Sequence, residues 1–313
     1  MVLVRENHFP QFVAEELLPF VEQFPIQYLV ANAQKKIAYR HLTHAAHTKL
    51  MVLVNGRGEN IAKWSEIAYD FYQQGYDILQ FDHRGQGFSS RLLAEKEKGF
   101  IDEFRYYIDD MDIVIQAVLQ QKEYQQQVLF AHSMGGLLAT YYLATYPHQF
   151  SKVILSSPFL GLREKTALRD EVVVAVMVLL GFSRRYIFTK GPWRPANIAT
   201  TDLTHSEARL EFMNQMATKY PDIRLGGPTF AWVHRCIVAF KKLPNLVNKI
   251  QVPILILQSG EESIVSTKKV EKLFSTSSLV RFVEIEGARH EIMFETDAIR
   301  STALQTIIQF LNQ

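Results

Sequence analysis

Val128-Leu129-Phe130-Ala131-His132-Ser133-Met134-Gly135-Gly136 is the stretch on which the reading of this chain turns. The apolar run 128–130 predicts a buried strand, and the run from Gly135 to Tyr146, closed by Pro147, predicts a helix, so Ser133 falls on the turn between them. A strand that turns directly into a helix is strained. A serine at its tip exposes its hydroxyl, and the residues two before and two after must be small so that strand and helix can approach. Ala131 and Gly135 meet that need, with alanine where glycine is more usual. Serine is also a common helix N-cap, but the strand-to-helix setting favours a nucleophile.

Working outward, two β-rich runs at 26–30 and 37–41 flank the polar stretch 32–36 and predict an opening hairpin. Residues 50–54 read as a buried strand, 64–74 as a helix and 77–81 as a strand, which is a βαβ unit. In 104–120 the residues Phe104, Tyr107, Ile108, Met111, Ile115 and Val118 recur at spacings of three and four. That predicts an amphipathic helix with Asp109, Asp110 and Asp112 on its wet side. A strand at 153–156 ends at Pro158, after which the alternation stops and 160–248 reads as helices and irregular loops. The pattern resumes with strands at 254–258 and 280–285 and a final helix at about 297–311. Such alternation predicts an α/β fold: a mostly parallel sheet with helices on both faces. The core is expected at 1–159 and 249–313, and an inserted α-helical cap at 160–248.

With 313 residues, 48% apolar and 21% charged, the chain has the composition of a soluble globular protein. The net charge of +2, from 34 basic and 32 acidic side chains, gives no field that implies nucleic-acid binding. Cys236 stands alone, so neither an internal disulfide nor a cysteine metal cluster can form, and a reducing compartment is expected. Arg5, Glu6, Glu15, Glu16 and Glu22 interrupt the N-terminal stretch, against a signal peptide. The longest apolar run, 172–182, falls short of the ~20 residues that cross a bilayer.

In the α/β-hydrolase fold the reactive residues follow in the order serine, acid, histidine, each after a later strand. His290 lies in Gly287-Ala288-Arg289-His290-Glu291, between the last predicted strand and the last helix, where a base can reach back to Ser133. The acid is expected after 254–258, in Ser259-Gly260-Glu261-Glu262-Ser263-Ile264-Val265. Glu262, followed by one residue and then a branched apolar pair, has the favoured spacing; Glu261 fits with a shift of one and stays open. An oxyanion hole needs two backbone N–H donors. One comes from Met134, after the nucleophile, and the other from Arg57 in Asn55-Gly56-Arg57-Gly58-Glu59-Asn60. The Arg57 side chain is either solvated or a ligand for phosphate. Gly56 and His132 are expected to line the substrate site, while His83, His148, His205 and His234 read as ordinary core or surface residues. The segment Asp82-His83-Arg84-Gly85-Gln86-Gly87-Phe88-Ser89 reads as scaffolding, and the chemistry requires no metal or cofactor.

On these residues the chain resembles the bacterial lysophospholipase L2 family, relatives of the monoacylglycerol lipases within the α/β-hydrolases. The resemblance runs nearly full length. It is strongest at Asn55-Gly56-Arg57, at 131–136, at Arg224-Leu225-Gly226-Gly227-Pro228-Thr229 with Trp232, and at 287–291 with Phe294-Glu295. The 224–229 motif is the most family-specific. The resemblance implies hydrolysis of the remaining acyl ester of a lysophospholipid, or of another single-acyl lipid, at the cytoplasmic side of the bacterial inner membrane, with peripheral membrane contact. Two other readings stand beside it: the same chemistry on a monoacylglycerol or other carboxylic ester, and a non-catalytic lipid-binding member, which would carry a broken triad. The apolar stretch 172–180, followed by Arg184 and Arg185, reads as an acyl-tunnel lining, a membrane-interface helix or an ordinary buried helix.

Overall fold

Leu50, Val52 and Val54 point to one face of a strand and Met51 and Leu53 to the other, and all five are buried. A strand with no wet face needs a layer on each side, as strands of helix-covered parallel sheets have. The computed structural model describes residues 4–163 and 167–313, so 1–3 of the expected core and 164–166 of the expected cap lie outside the described residues. Its eight strands are β1 (Gln27–Ala31), β2 (Lys35–Leu42), β3 (Lys49–Val54), β4 (Tyr76–Phe81), β5 (Gln126–His132), β6 (Phe150–Ser156), β7 (Ile254–Ser259) and β8 (Val280–Ile285). They form one sheet in the order β1-β2-β4-β3-β5-β6-β7-β8. β2 runs antiparallel to β1 and β4, and every other pairing is parallel.

Helices α1 (Ser65–Tyr72), α2 (Arg105–Leu119) and α3 (Met134–Thr145) alternate with the first strands. α2 and α3 cover one face through Ile108, Met111, Leu137 and Tyr142. The other face packs on Trp64, Ile67 and Phe71 from α1 and its N-cap, and on Leu304 and Ile307. Between β6 and β7 the described residues add helices but no strand to the sheet: α4 (Ala167–Leu179), α5 (Glu207–Lys219), α6 (Phe230–Phe240) and the short Leu243–Val247. α7 (Thr267–Phe274) joins β7 to β8, and α8 (Asp297–Leu311) closes the chain.

Two expectations need correction. Asp110 is not on a wet face: it is 1% exposed and grips Arg84 through Nε at 2.6 Å and Nη2 at 2.5 Å. Asp109 and Asp112 are half-buried and accept the hydroxyls of Tyr146 and Tyr142. The polar side of α2 meets the loop after β4 and α3, neighbours that periodicity cannot reveal. Nor is 172–180 an ordinary buried helix. Val174 packs on Phe230 and Ile237, while Val172, Val176, Leu179 and Leu180 stand exposed in a stripe, Leu179 by 86%.

The N-terminal helical turns at 6–22 bury Phe9, Phe12 and Leu17 against Phe212 and Met216 of α5. Arg209 of α5 binds Glu66 of α1 (2.8 Å), Glu6 (2.6 Å) and Asp297 of α8 (2.7 Å), drawing four segments into one buried ionic cluster. No helix among the described residues is long and apolar enough to cross a membrane.

Candidate active site

Ser133 sits between β5 and α3 with φ 50° and ψ −116°, a left-handed conformation that costs a non-glycine residue roughly 1–3 kcal/mol and turns its hydroxyl out of the bend. Gly135 makes the bend possible. A Cβ there would lie 2.1 Å from the carbonyl oxygen of Val54 and 2.7 Å from that of Asn55, so the first turn of α3 seats on the end of β3 only without a side chain. The Ser133 N–H donates to Ser156 O at 3.0 Å, fixing the elbow to β6.

His290 lies after β8 and brings Nε2 to 3.0 Å from Ser133 Oγ. Its Nδ1 lies 2.8 Å from Glu262 Oε2, and the two side chains are only 5% and 4% exposed. The other Glu262 oxygen accepts the N–H groups of Ile264 (2.7 Å) and Val265 (3.1 Å), so the residues that flagged the spacing hold the carboxylate in place. Burial alone would raise Glu262, but the His290 hydrogen bond and the two N–H donors outweigh it and hold the carboxyl below its ordinary range. Glu261 points elsewhere: its side chain is 54% exposed, 3.3 Å from His205 Nε2.

Gly56 lies against Ser133, a Cβ placed on it falling 3.2 Å from Ser133 Cβ. Among the described residues the N–H groups of Arg57 and Met134 donate to no protein acceptor, whereas that of Gly56 is taken by Glu59 Oε2 at 2.5 Å. Met134 opens α3, where the first N–H groups lack helical partners. The 82–89 segment holds the loop opposite. Asp82 accepts from Ile61 N–H (2.8 Å) and the Asn55 amide (3.2 Å), and Gln86 Nε2 donates to Gly56 O (2.8 Å) and Glu59 O (3.0 Å). The His132 ring is 4.9 Å from that of His290, and its Nδ1 meets Ser156 O at 3.1 Å. Burial, against the pull of Glu59, pushes His132 down to about 4, so its ring is neutral at neutral pH.

Sequence reasoning missed Lys63 and Glu291. The Lys63 ammonium binds Glu59 at 2.9 Å and Glu291 at 2.5 Å, all three buried, and so ties the loop after β3 to the residue following His290. The spacing of four between Glu59 and Lys63 was the available signal; the partnership with Glu291, 228 positions away, was not visible. Also unforeseen, His290 and Glu291 N–H donate to Asp202 O (3.3 Å) and Leu203 O (2.8 Å) of the segment between β6 and β7.

The Arg57 side chain leaves this site toward the same segment. It donates to Gly226 O, lies 5.3 Å from the Trp232 ring and packs on Gly99. Burial without a neighbouring carboxylate pushes it down to about 10. Among the described residues no group of three or more His, Cys, Asp or Glu is arranged to hold a metal ion. An imidazole joined to a serine hydroxyl and a buried carboxylate, beside two free N–H groups, can form and discharge an acyl-serine.

Comparison with known proteins gives the family and the fold. The family described as serine aminopeptidase S33 matches residues 45–297. A protein of Haemophilus influenzae named probable lysophospholipase L2 is 50% identical over 99% of each chain. The chain belongs to the lysophospholipase L2 family. Lysophospholipase L2 of Escherichia coli K12 is 31% identical over 99% of this chain and 94% of its own. This L2-family chain also shares its fold, at a TM-score of 0.74 and 20% identity, with a soluble variant of Saccharomyces cerevisiae monoglyceride lipase, covering 92% and 94% of the two chains. It is a serine hydrolase of the α/β-hydrolase fold.

Proposed function

We propose that this protein is a lysophospholipase that cleaves the remaining acyl ester of a lysophospholipid to a fatty acid and a glycerophosphodiester. His290 Nε2 takes the proton of Ser133 Oγ as the oxygen attacks the ester carbonyl, and Glu262 stabilises the resulting imidazolium. The N–H groups of Met134 and Arg57 hold the oxyanion, and the imidazolium protonates the departing glycerol oxygen. Water, deprotonated by the same imidazole, then releases the fatty acid and restores Ser133. Gly56 and His132 line the site where the ester lies. Residues 160–248 act as a cap over a core formed by 1–159 and 249–313. The full-length identity of 50% to a protein named probable lysophospholipase L2 carries the substrate class, and the Ser133–His290–Glu262 chain of hydrogen bonds supports the chemistry.

The apolar stripe of α4, with Arg184 and Arg185 exposed just beyond it, is the part that meets the membrane, at its cytoplasmic side. Fatty-acid release by the purified protein and by Ser133→Ala tests the assignment across lysophosphatidylcholine, lysophosphatidylethanolamine and monoacylglycerol. Turnover of the lysophospholipids that disappears in the variant is expected. Turnover of monoacylglycerol alone would make it a neutral-lipid lipase instead.

A further inference from the structure

The 224–229 motif and the Arg57 side chain have no part in the acyl-transfer steps, yet they meet at one place. Arg57 lines a cavity of about 600 Å³ with Lys190, Arg194 and the bare backbone of Gly191, Gly226 and Gly227. Glycine is required at 226 and 227. A Cβ on Gly226 would fall 2.5 Å from Gly191 O, and one on Gly227 would fall 2.4 Å from Lys190 Cβ. The wall is rigid, since Gly227 N–H donates to Gly191 O (2.7 Å), Gly226 N–H to Glu97 O (2.8 Å) and Gly99 N–H to Gly227 O (3.1 Å). No carboxylate lines the cavity among the described residues, and none forms an ion pair with Arg57, Lys190 or Arg194. Glu97, just outside, has one carboxylate oxygen engaged by Trp193 N–H at 2.8 Å. Arg57 Nε is buried with no hydrogen-bond partner, an open donor on a cation that has left bulk water.

The reach of Arg57 matters as much as its charge. Arg57 follows Gly56, which lies against Ser133, and its terminal guanidinium nitrogens lie six bonds from its own Cα, roughly 7 Å when extended. In a 1-acyl lysophospholipid the phosphorus likewise lies six bonds from the ester carbonyl carbon, again roughly 7 Å. An ester carbonyl held at the Arg57 N–H therefore delivers its phosphate to the depth of the Arg57 side chain. We propose that this cavity is the head-group site: Arg57, Lys190 and Arg194 bind the phosphodiester of the substrate, and the 224–229 motif shapes the wall that lets it in. The inference rests on the lysophospholipase reading and names what separates that substrate from a neutral monoacylglycerol. Guanidinium and ammonium donors to phosphate form charge-assisted hydrogen bonds that a glycerol hydroxyl cannot match.

The test measures kcat/KM for a 1-acyl lysophosphatidylethanolamine and a 1-monoacylglycerol with the same short acyl chain, both kept monomeric so that surface charge plays no part. The wild type is compared with the Lys190→Gln/Arg194→Gln double variant. Both side chains are exposed and without ion-pair partners, so thermal unfolding and labelling of Ser133 by a fluorophosphonate are expected to match the wild type. The ratio of the two kcat/KM values should fall by roughly tenfold or more in the variant, mostly through KM for the lysophospholipid. Glycerophosphoethanolamine should inhibit the wild type competitively and the variant more weakly. Inorganic phosphate at equal ionic strength is the second arm: inhibition as strong as that by glycerophosphoethanolamine would make this a site for free phosphate and overturn the head-group assignment. A wild type that cleaves lysophospholipid, with a ratio that does not move in the variant, overturns the inference alone. A wild type that cleaves only monoacylglycerol overturns the lysophospholipase reading beneath it.

Discussion

Replacing Glu262 by glutamine tests the reasoning about the triad acid most sharply, because a neighbouring carboxylate supplies the control. In the folded protein Glu262 is 2.8 Å from His290 Nδ1, and both side chains are nearly sealed from water. Proton transfer from Ser133 turns the imidazole into a cation, and the carboxylate stabilises that cation only if it is charged. Opposite unit charges with centres about 4 Å apart are worth about 4 kcal/mol at an effective dielectric constant of about 20. At about 1.4 kcal/mol per decade, losing that attraction slows acylation roughly 10³-fold. Glutamine can also present its amide NH₂ to Nδ1, which favours the imidazole tautomer that cannot accept the serine proton. In a serine protease that error brings the loss to about 10⁴. The expected outcome is a fall in kcat of roughly 10³ to 10⁴ with KM little changed, read as fatty-acid release from lysophosphatidylethanolamine. Fluorophosphonate labelling of Ser133 should slow in parallel. Glu261→Gln removes an exposed carboxylate that does not reach His290 and should leave kcat within about twofold, as surface changes generally do. If Glu261→Gln lost activity and Glu262→Gln kept it, the assignment of the acid would be refuted.

Other perturbations read other parts of the molecule. Gly135→Ala puts a methyl into the carbonyls of Val54 and Asn55; it should destabilise the fold by about 3 kcal/mol in urea titration and abolish fluorophosphonate labelling. Arg209→Met removes the cation that Glu6, Glu66 and Asp297 share, leaving Glu66 only Arg5 and Arg300, and should cost about 3–5 kcal/mol, again by urea titration. Glu66 carries a pH signature: burial opposes its charge, but Arg300 and Arg209 hold it down to about 2. A carboxyl depressed in the folded state contributes fully above its unfolded value of about 4.3 and loses that contribution as pH falls toward about 2. Wild-type stability should therefore drop across that window, and the drop should shrink in Arg209→Met. Leu179→Asp, on the exposed stripe of α4, should weaken binding to anionic vesicles about tenfold in a sedimentation assay, with thermal unfolding unchanged.

Much of this molecule could be read from the chain alone because its decisive signals are local. The elbow at 128–136 announces itself through a strand, a serine and small residues within nine positions. The strands show themselves as short apolar runs, and the loops carrying Glu262 and His290 follow strands whose order is linear in sequence. Ile264 and Val265 flagged Glu262 because the backbone that holds an acid must come from its immediate neighbours. Tertiary structure decided whatever depended on partners far apart in the chain. Whether Glu261 or Glu262 reached His290 turned on a loop conformation that composition does not encode. Asp110 looked solvated until Arg84 met it, and Lys63, which the sequence did not single out, gains its role only where Glu59 and Glu291 close around it. The stripe on α4 had the same hydrophobicity whether buried or exposed, since periodicity reports that a face is apolar and not what covers it. Beyond a helical turn, charges carry no local pattern that names their partners. Their meaning arises only when folding brings distant segments within a few ångströms, where burial makes each pairing too costly to leave unmade.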